Sequence, residues 1–206
     1  MNILIAVPSM DDVPARFAQS LSMLRKVGHC AIAFQIGSLV YMSRNELAKR
    51  AMEIGADYVL WLDSDMVFDP DLLEKLMADM SEEVEIVSGV YFRRTPPFTP
   101  VMYSKLEVGE DDNPVWEDMK DLPEEMFEAA GIGFGCVLMR TSVIMDVFSK
   151  YLCLFDPLRG MGEDLSFCYR ARQLGHKVWV DPAVQCGHVT KTVVDQNFYK
   201  AYYGKA

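Results

Sequence analysis

The segment Ala56-Asp57-Tyr58-Val59-Leu60-Trp61-Leu62-Asp63-Ser64-Asp65 constrains this chain more than any other. Tyr58 to Leu62 are five consecutive apolar or aromatic residues, too few for a helix of their own but enough for a strand buried on both faces. Strands of that kind belong to α/β sheets, which bind ligands in the crevice beyond the strands' carboxyl ends. Two acids, Asp63 and Asp65, stand at that end with one residue between them. If the backbone is still extended there, both carboxylates point the same way. Converging carboxylates repel unless a cation or a donor-rich ligand lies between them. A hard divalent metal that also holds phosphate oxygens meets that need.

The bulk of the chain agrees with a folded α/β protein. Its 206 residues can bury a proper core as one large domain or two small ones. With 50% apolar and 24% charged residues, disorder is excluded. A formal charge of −10 argues against binding to a nucleic-acid backbone, because no basic stripe exists to release counterions. An acidic protein that binds a diphosphate needs a metal or a few local cations to offset its own field. Five cysteines, an odd number without CxxC spacing, point away from a zinc ribbon or a redox dithiol and toward buried free thiols in a reducing compartment. No basic leader precedes the first strand, and no apolar run approaches the roughly 18 residues of a transmembrane segment. The expectation is a cytoplasmic protein; its oligomeric state is not legible.

Along the chain, Asn2 to Val7 reads as a first strand, stopped by Pro8-Ser9. Asp11 or Asp12 can cap a helix with Pro14 in its first turn, running to Gly28. Cys30 to Ile36 is a second strand, and Ser43-Arg44-Asn45-Glu46 reads as a capping box that opens a helix ending near Gly55. After the aspartate strand, Asp69-Pro70 caps a helix with Leu72, Leu73, Leu76 and Met80 on one face, and Val84 to Phe92 is a strand. This β-α-β-α-β-α-β order makes residues 1–95 a Rossmann-like half with a mainly parallel sheet. Residues 96–206 form the second half of one continuous domain. Within it, the stretch 96–125 is acidic and proline-punctuated and reads as hairpins or a loop rather than core. Gly131 to Met139 is a glycine-rich strand, followed by helices from Thr141 to Tyr151 and from Gly162 to Leu174, then strands at Val178–Val180 and Val184–Cys186. In the tail, Val194, Phe198 and Tyr202 recur at helical spacing as a packing stripe.

Three further segments accompany the two aspartates: Gly162-Glu163-Asp164-Leu165 at a helix start, the glycines of 131–135, and Gly187-His188 after the last strand. In their order and spacing from Ile3 to His188 they resemble the GT-A glycosyltransferases, above all the small family 2-like enzymes that use nucleotide-activated sugars. The resemblance implies a GT-A fold and a role for each matched position. Pro8 and Ser9 would border the nucleotide base, and Arg44 would contact the nucleotide or its phosphates. Asp63 would be the first acid of the DxD motif, near ribose, with Asp65 the second, ligating Mn2+ or Mg2+. His188 would be a late metal ligand, Asp164 the catalytic base and Glu163 its neighbour, with Gly131 to Phe134 walling the acceptor. The implied reaction moves a sugar from a nucleotide-sugar donor, a UDP-sugar first, to an acceptor hydroxyl whose identity the sequence does not give. One base and in-line attack would invert the anomeric centre. A helix N-terminus would favour the charged form of Asp164.

The residues alone leave blander readings open. Asp63 and Asp65 also fit a solvated turn, Glu163 and Asp164 the usual acids of a helix start, His188 a structural histidine and Arg44 a solvent-facing helix cation, while Arg93-Arg94 fit a charged strand end more readily than a contact to phosphate or acceptor. Trp61 and Phe134 read as core, and His29 and His176 carry no role. Two other functions compete. Asp63-Ser64-Asp65-Met66-Val67 satisfies the nucleophile motif of haloacid-dehalogenase-type phosphatases, with Asp63 as nucleophile, although that family sets the motif near its first strand. A non-catalytic nucleotide-sugar binding protein would keep the fold without turnover.

Overall fold

The computed structural model describes residues 1–37, 39–109 and 113–191. The tail stripe of Val194, Phe198 and Tyr202 lies outside the described residues, as do Glu110, Asp111 and Asp112. The first half runs β1 (Asn2–Ser9), α1 (Ala15–Met23), β2 (His29–Ile36), α2 (Val40–Glu53), β3 (Tyr58–Leu62), β4 (Met66–Val67), α3 (Leu72–Asp79) and β5 (Ile86–Val90). The second runs β6 (Met102–Val108), β7 (Pro114–Asp118), β8 (Phe127–Ala129), β9 (Gly131–Ile132), β10 (Cys136–Arg140), α4 (Thr141–Tyr151), α5 (Glu163–Gln173), β11 (Val178–Gln185) and β12 (Gly187–His188).

A seven-stranded sheet in the order β2-β1-β3-β10-β5-β11-β8 forms the centre. Strands β2, β1, β3, β5 and β11 run one way, while β10 and β8 run against them. The expected parallel sheet is therefore present with one insertion: β10, from the second half, separates β3 from β5 and pairs antiparallel with both. The sequence pattern hides this, because a strand covered on both faces is uniformly apolar whichever way it runs. On one face, Val59 and Trp61 of β3 join a core with Leu47, Val143, Phe155 and Phe167. On the other, Leu60 and Leu62 pack with Phe17, Leu72 and Leu76. Trp61 and Phe134 are core residues, as expected, in an aromatic cluster with Phe155 and Phe167 at centroid distances of 4.6 to 6.1 Å.

Several boundaries differ from the sequence reading for local reasons. Helix α1 starts after Pro14, with neither Asp11 nor Asp12 as its cap, and stops at Met23. Leu24 leaves helical geometry (ψ 121°), and Arg25 N–H goes to Pro70 carbonyl at 2.8 Å. Helix α2 begins at Val40, so Ser43 and Arg44 lie inside it with buried side chains and do not form a capping box. Helix α3 starts two residues later than Asp69-Pro70 suggests, with Asp71 in the cap position. Residues 96–125 hold the β6–β7 hairpin, and Met102, Tyr103 and Leu106 of β6 are buried core, because β6 also pairs with β9 over α5. The last two strands are a single β11 whose register shifts between Asp181 and Gln185.

The glycine-rich stretch is not one strand either. It breaks between β9 and β10, where the Tyr91 ring fills the space that side chains would take. A Cβ on Gly133 would lie 2.0 Å from the Tyr91 hydroxyl, and one on Gly135 would lie 2.7 Å from Tyr91 Cζ. Gly135 N–H donates to that hydroxyl at 3.1 Å. Gly133→Ala should therefore overpack this turn and lower stability by about 2 kcal/mol. Thermal unfolding of Gly133→Ala, Tyr91→Phe and the double variant checks this. The double variant should be more stable than the sum of the singles implies, since Phe removes the atom in the way.

Candidate active site

Strand β3 ends at Leu62, and the chain turns at once: Asp63 N–H donates to Gly135 carbonyl at 3.1 Å and Met66 N–H to Asp63 carbonyl at 3.1 Å. The backbone is not extended through Asp65, so strand alternation does not align the two carboxylates. Each takes its own partners. Both line a cavity of about 650 Å³ at the carboxyl ends of β1 and β3, with Pro8, Ser9, Arg44, Glu163 and His188. Asp164 is not part of its wall.

Arg44 is the buried half of the site. It is 2% exposed, and its Nη2 donates to Asp63 Oδ1 at 2.8 Å while its Nε donates to Glu163 Oε1 at 3.4 Å. Among the described residues Nη1 has no hydrogen-bond partner although it is buried, and the guanidinium lies 5.5 to 5.9 Å from the ring centroids of Phe134, Trp61 and Phe155. These faces offer a cation the negative side of their quadrupole. The solvent-facing reading of Arg44 is thus wrong. Burial disfavours the guanidinium charge, but Asp63 and Glu163 outweigh it and hold Arg44 above its ordinary pKa. Burial pushes Asp63 upward, and Arg44 offsets part of that rise.

Asp65 has a different set of partners. The short β12 pairs with β4, setting His188 opposite Met66, and Val189 N–H donates to Asp65 carbonyl at 2.9 Å. This pairing delivers a residue 123 positions away in sequence to the Asp63–Asp65 turn. His188 Nδ1 lies 2.9 Å from Phe92 carbonyl, which can only accept, so Nδ1 carries a proton. On a neutral ring, Nε2 then presents its lone pair to Asp65 Oδ2 at 3.3 Å. Two acceptors face each other, and a proton or a metal cation resolves the conflict. Without metal the proton does so: burial opposes the imidazolium, but the hydrogen bond to Asp65 prevails and raises the His188 pKa. Burial raises the Asp65 carboxyl, yet His188 and Arg94 together hold it below its usual value. Among the described residues, no group of three or more His, Cys, Asp or Glu side chains is placed to hold a metal. A cation here would rest on two protein ligands, leaving room for phosphate and water oxygens.

Asp164 behaves differently from the helix-dipole expectation. It accepts Leu165 N–H at 2.7 Å at the start of α5, whose cap Gly162 supplies no side-chain bond. Burial nonetheless pushes it up to about 6, with Glu163 adding to the rise. Desolvation and a like charge outweigh the helix terminus. The intended acceptor wall is also different: Gly131 to Phe134 are buried, and they house Tyr91, Leu106 and Leu165 rather than facing a ligand. Arg93 and Arg94, which the sequence offers as phosphate or acceptor contacts or as a charged strand end, both line the cavity, as does Tyr91, to which the sequence assigns no role. Tyr91 could have been inferred only from a partner for the glycines.

Residues 42–148 match the sequence pattern of glycosyl transferase family 2. The chain belongs to that family. The matched stretch holds Arg44, Asp63 and Asp65 and makes this protein a glycosyltransferase. No curated protein sequence matches the chain. Among solved structures, A197 from STIV superimposes with a TM-score of 0.70 at 19% identity, over 93% of this chain and 87% of that one. GalNAc-T7, solved with UDP, GalNAc and Mn2+, superimposes with a TM-score of 0.62 at 10% identity, over 93% of this chain and 43% of its own. The glycosyltransferase has the GT-A fold. No helix among its described residues is long and apolar enough to cross a membrane.

Proposed function

We propose that this glycosyltransferase moves a sugar from a nucleoside-diphosphate donor, a UDP-sugar first, to an acceptor hydroxyl with inversion, using Mn2+ or Mg2+. The observation that carries the reading is the facing pair of acceptors, Asp65 Oδ2 and His188 Nε2, on the cavity wall beside Asp63. GalNAc-T7, similar in fold, was solved with UDP and Mn2+. Asp65 and His188 would hold the cation, which when bound stabilises negative charge on a departing diphosphate. Pro8 and Ser9 border the base, and Asp63, oriented by Arg44, stands on the ribose side. Fixing Asp63 on a buried guanidinium keeps it from acting as a nucleophile, which disfavours the phosphatase reading.

As the acceptor oxygen bonds to the anomeric carbon, the bond from that carbon to the phosphate oxygen breaks. The acceptor proton passes to the Asp164 carboxylate, and Glu163, on the wall, positions the sugar. The acceptor approaches from the side of the β6–β7 hairpin, where Tyr103 neighbours Asp164. An acid near 6 is a stronger base than an unperturbed aspartate while still ionised at pH 7. Turnover should therefore be flat above about pH 7 and fall tenfold per unit below about 6, as Asp164 takes up its proton. Asp164→Asn should abolish the plateau. Release of UDP from a panel of UDP-sugars with Mn2+, measured from pH 4.5 to 8.5, tests the proposal. No release from any donor, with or without acceptors, would favour a non-catalytic binding protein.

A further inference from the structure

Arg94 Nη1 donates to Asp65 Oδ2 at 2.8 Å, the same oxygen that faces His188 Nε2 at 3.3 Å. A guanidinium therefore holds the Asp65 oxygen that, together with His188 Nε2, would ligate a metal. Its neighbour Arg93 is clamped: Nε donates to Thr99 Oγ1 at 3.1 Å, and Nη2 donates to Tyr103 hydroxyl at 3.2 Å and Asp118 Oδ1 at 2.9 Å. Arg94, by contrast, is half-exposed, and among the described residues Asp65 is its one ion-pair partner. The backbone beneath both is tied by Arg93 N–H to Thr99 carbonyl at 2.9 Å and by a bridge from Phe92 to Pro100. Of the two arginines, only the Arg94 side chain has to move for Asp65 to lose its guanidinium partner.

We propose that Arg94 is an exchangeable counter-ion: it neutralises Asp65 in the ligand-free enzyme and passes to the donor's diphosphate when the metal takes its place. The inference rests on the metal-dependent reading above. A divalent cation and a guanidinium on one carboxylate oxygen overlap and repel, so metal entry alone requires Arg94 to leave an ion pair for water. A diphosphate gives the guanidinium a better partner, since phosphate oxygens match its fork of donors. Diphosphate and metal thus favour each other's binding through Arg94, and the coupling is reciprocal. The arrangement keeps Asp65, in a chain of net charge −10, from collecting metal without substrate.

The test is an Mn2+ titration of the full chain, followed by the electron paramagnetic resonance signal of free Mn2+, with and without UDP. Wild type should bind Mn2+ weakly alone and about tenfold more tightly with UDP, within the usual range of coupling. Arg94→Gln should bind Mn2+ alone about tenfold more tightly than wild type and lose most of the UDP enhancement. Arg94→Lys, which keeps the charge but not the fork, should fall between them. Equal or weaker Mn2+ binding by Arg94→Gln, with wild type still responding to UDP, overturns the role of Arg94 and leaves the metal reading standing. No Mn2+ binding by wild type under either condition overturns both.

Discussion

Asp65→Asn is expected to lower sugar transfer about 10²–10³-fold, the scale seen when one preorganised charge-stabilising group is removed. The substitution preserves shape but removes the anion that a cation would bind, and leaves His188 Nε2 facing an amide. Folding should change modestly, by about 1–2 kcal/mol, because the two lost ion pairs, to Arg94 and His188, are both partly exposed. Initial rates with saturating Mn2+ and matched thermal unfolding separate the two effects. A rate loss that tracks a large loss of stability would mean that Asp65 is structural.

Arg44→Met should have the largest effect on stability. Removing the guanidinium leaves Asp63 and Glu163 without the buried cation that both share, and breaking a buried pair by deleting one partner costs about 3–5 kcal/mol. For a chain of this size that is a fall in melting temperature of about 10 °C. Arg44→Lys should recover only part of it, because a single ammonium cannot reproduce two donors aimed at two carboxylates while lying against three aromatic rings. Full stability in Arg44→Met would mean that the aromatic packing alone supports this part of the core.

The difference between these two residues shows what was legible in the sequence. Asp65 stands at the end of an apolar run, and strand periodicity with the rule for sheet carboxyl ends leads straight to it. Arg44 lies in a polar helical stretch, and its partners Asp63 and Glu163 are 19 and 119 residues away. Local pattern carries no trace of such pairing, so Ser43-Arg44-Asn45-Glu46 looked like a cap. The same limit applies to β10: its buried residues announce a strand, but which two strands it separates is set by long-range packing. Helix α5 and His188 were found by motif order, and the short β4–β12 pair supplied the contact that order alone could not. Asp164 was placed at the right helix start, yet its pKa direction was misjudged because burial beside Glu163 is a tertiary fact.

A thermal-shift titration with UDP, GDP, ADP and CDP, each with and without Mn2+, in wild type and Asp65→Asn, addresses the metal-bridged diphosphate site most directly. Ligands that bind only the folded state raise its melting temperature. At least one diphosphate should stabilise wild type strongly with Mn2+ and weakly without it, and Asp65→Asn should lose that metal dependence. A shift that is the same with and without Mn2+, or that survives intact in Asp65→Asn, would contradict the assignment of Asp65 and His188 as the metal's protein ligands.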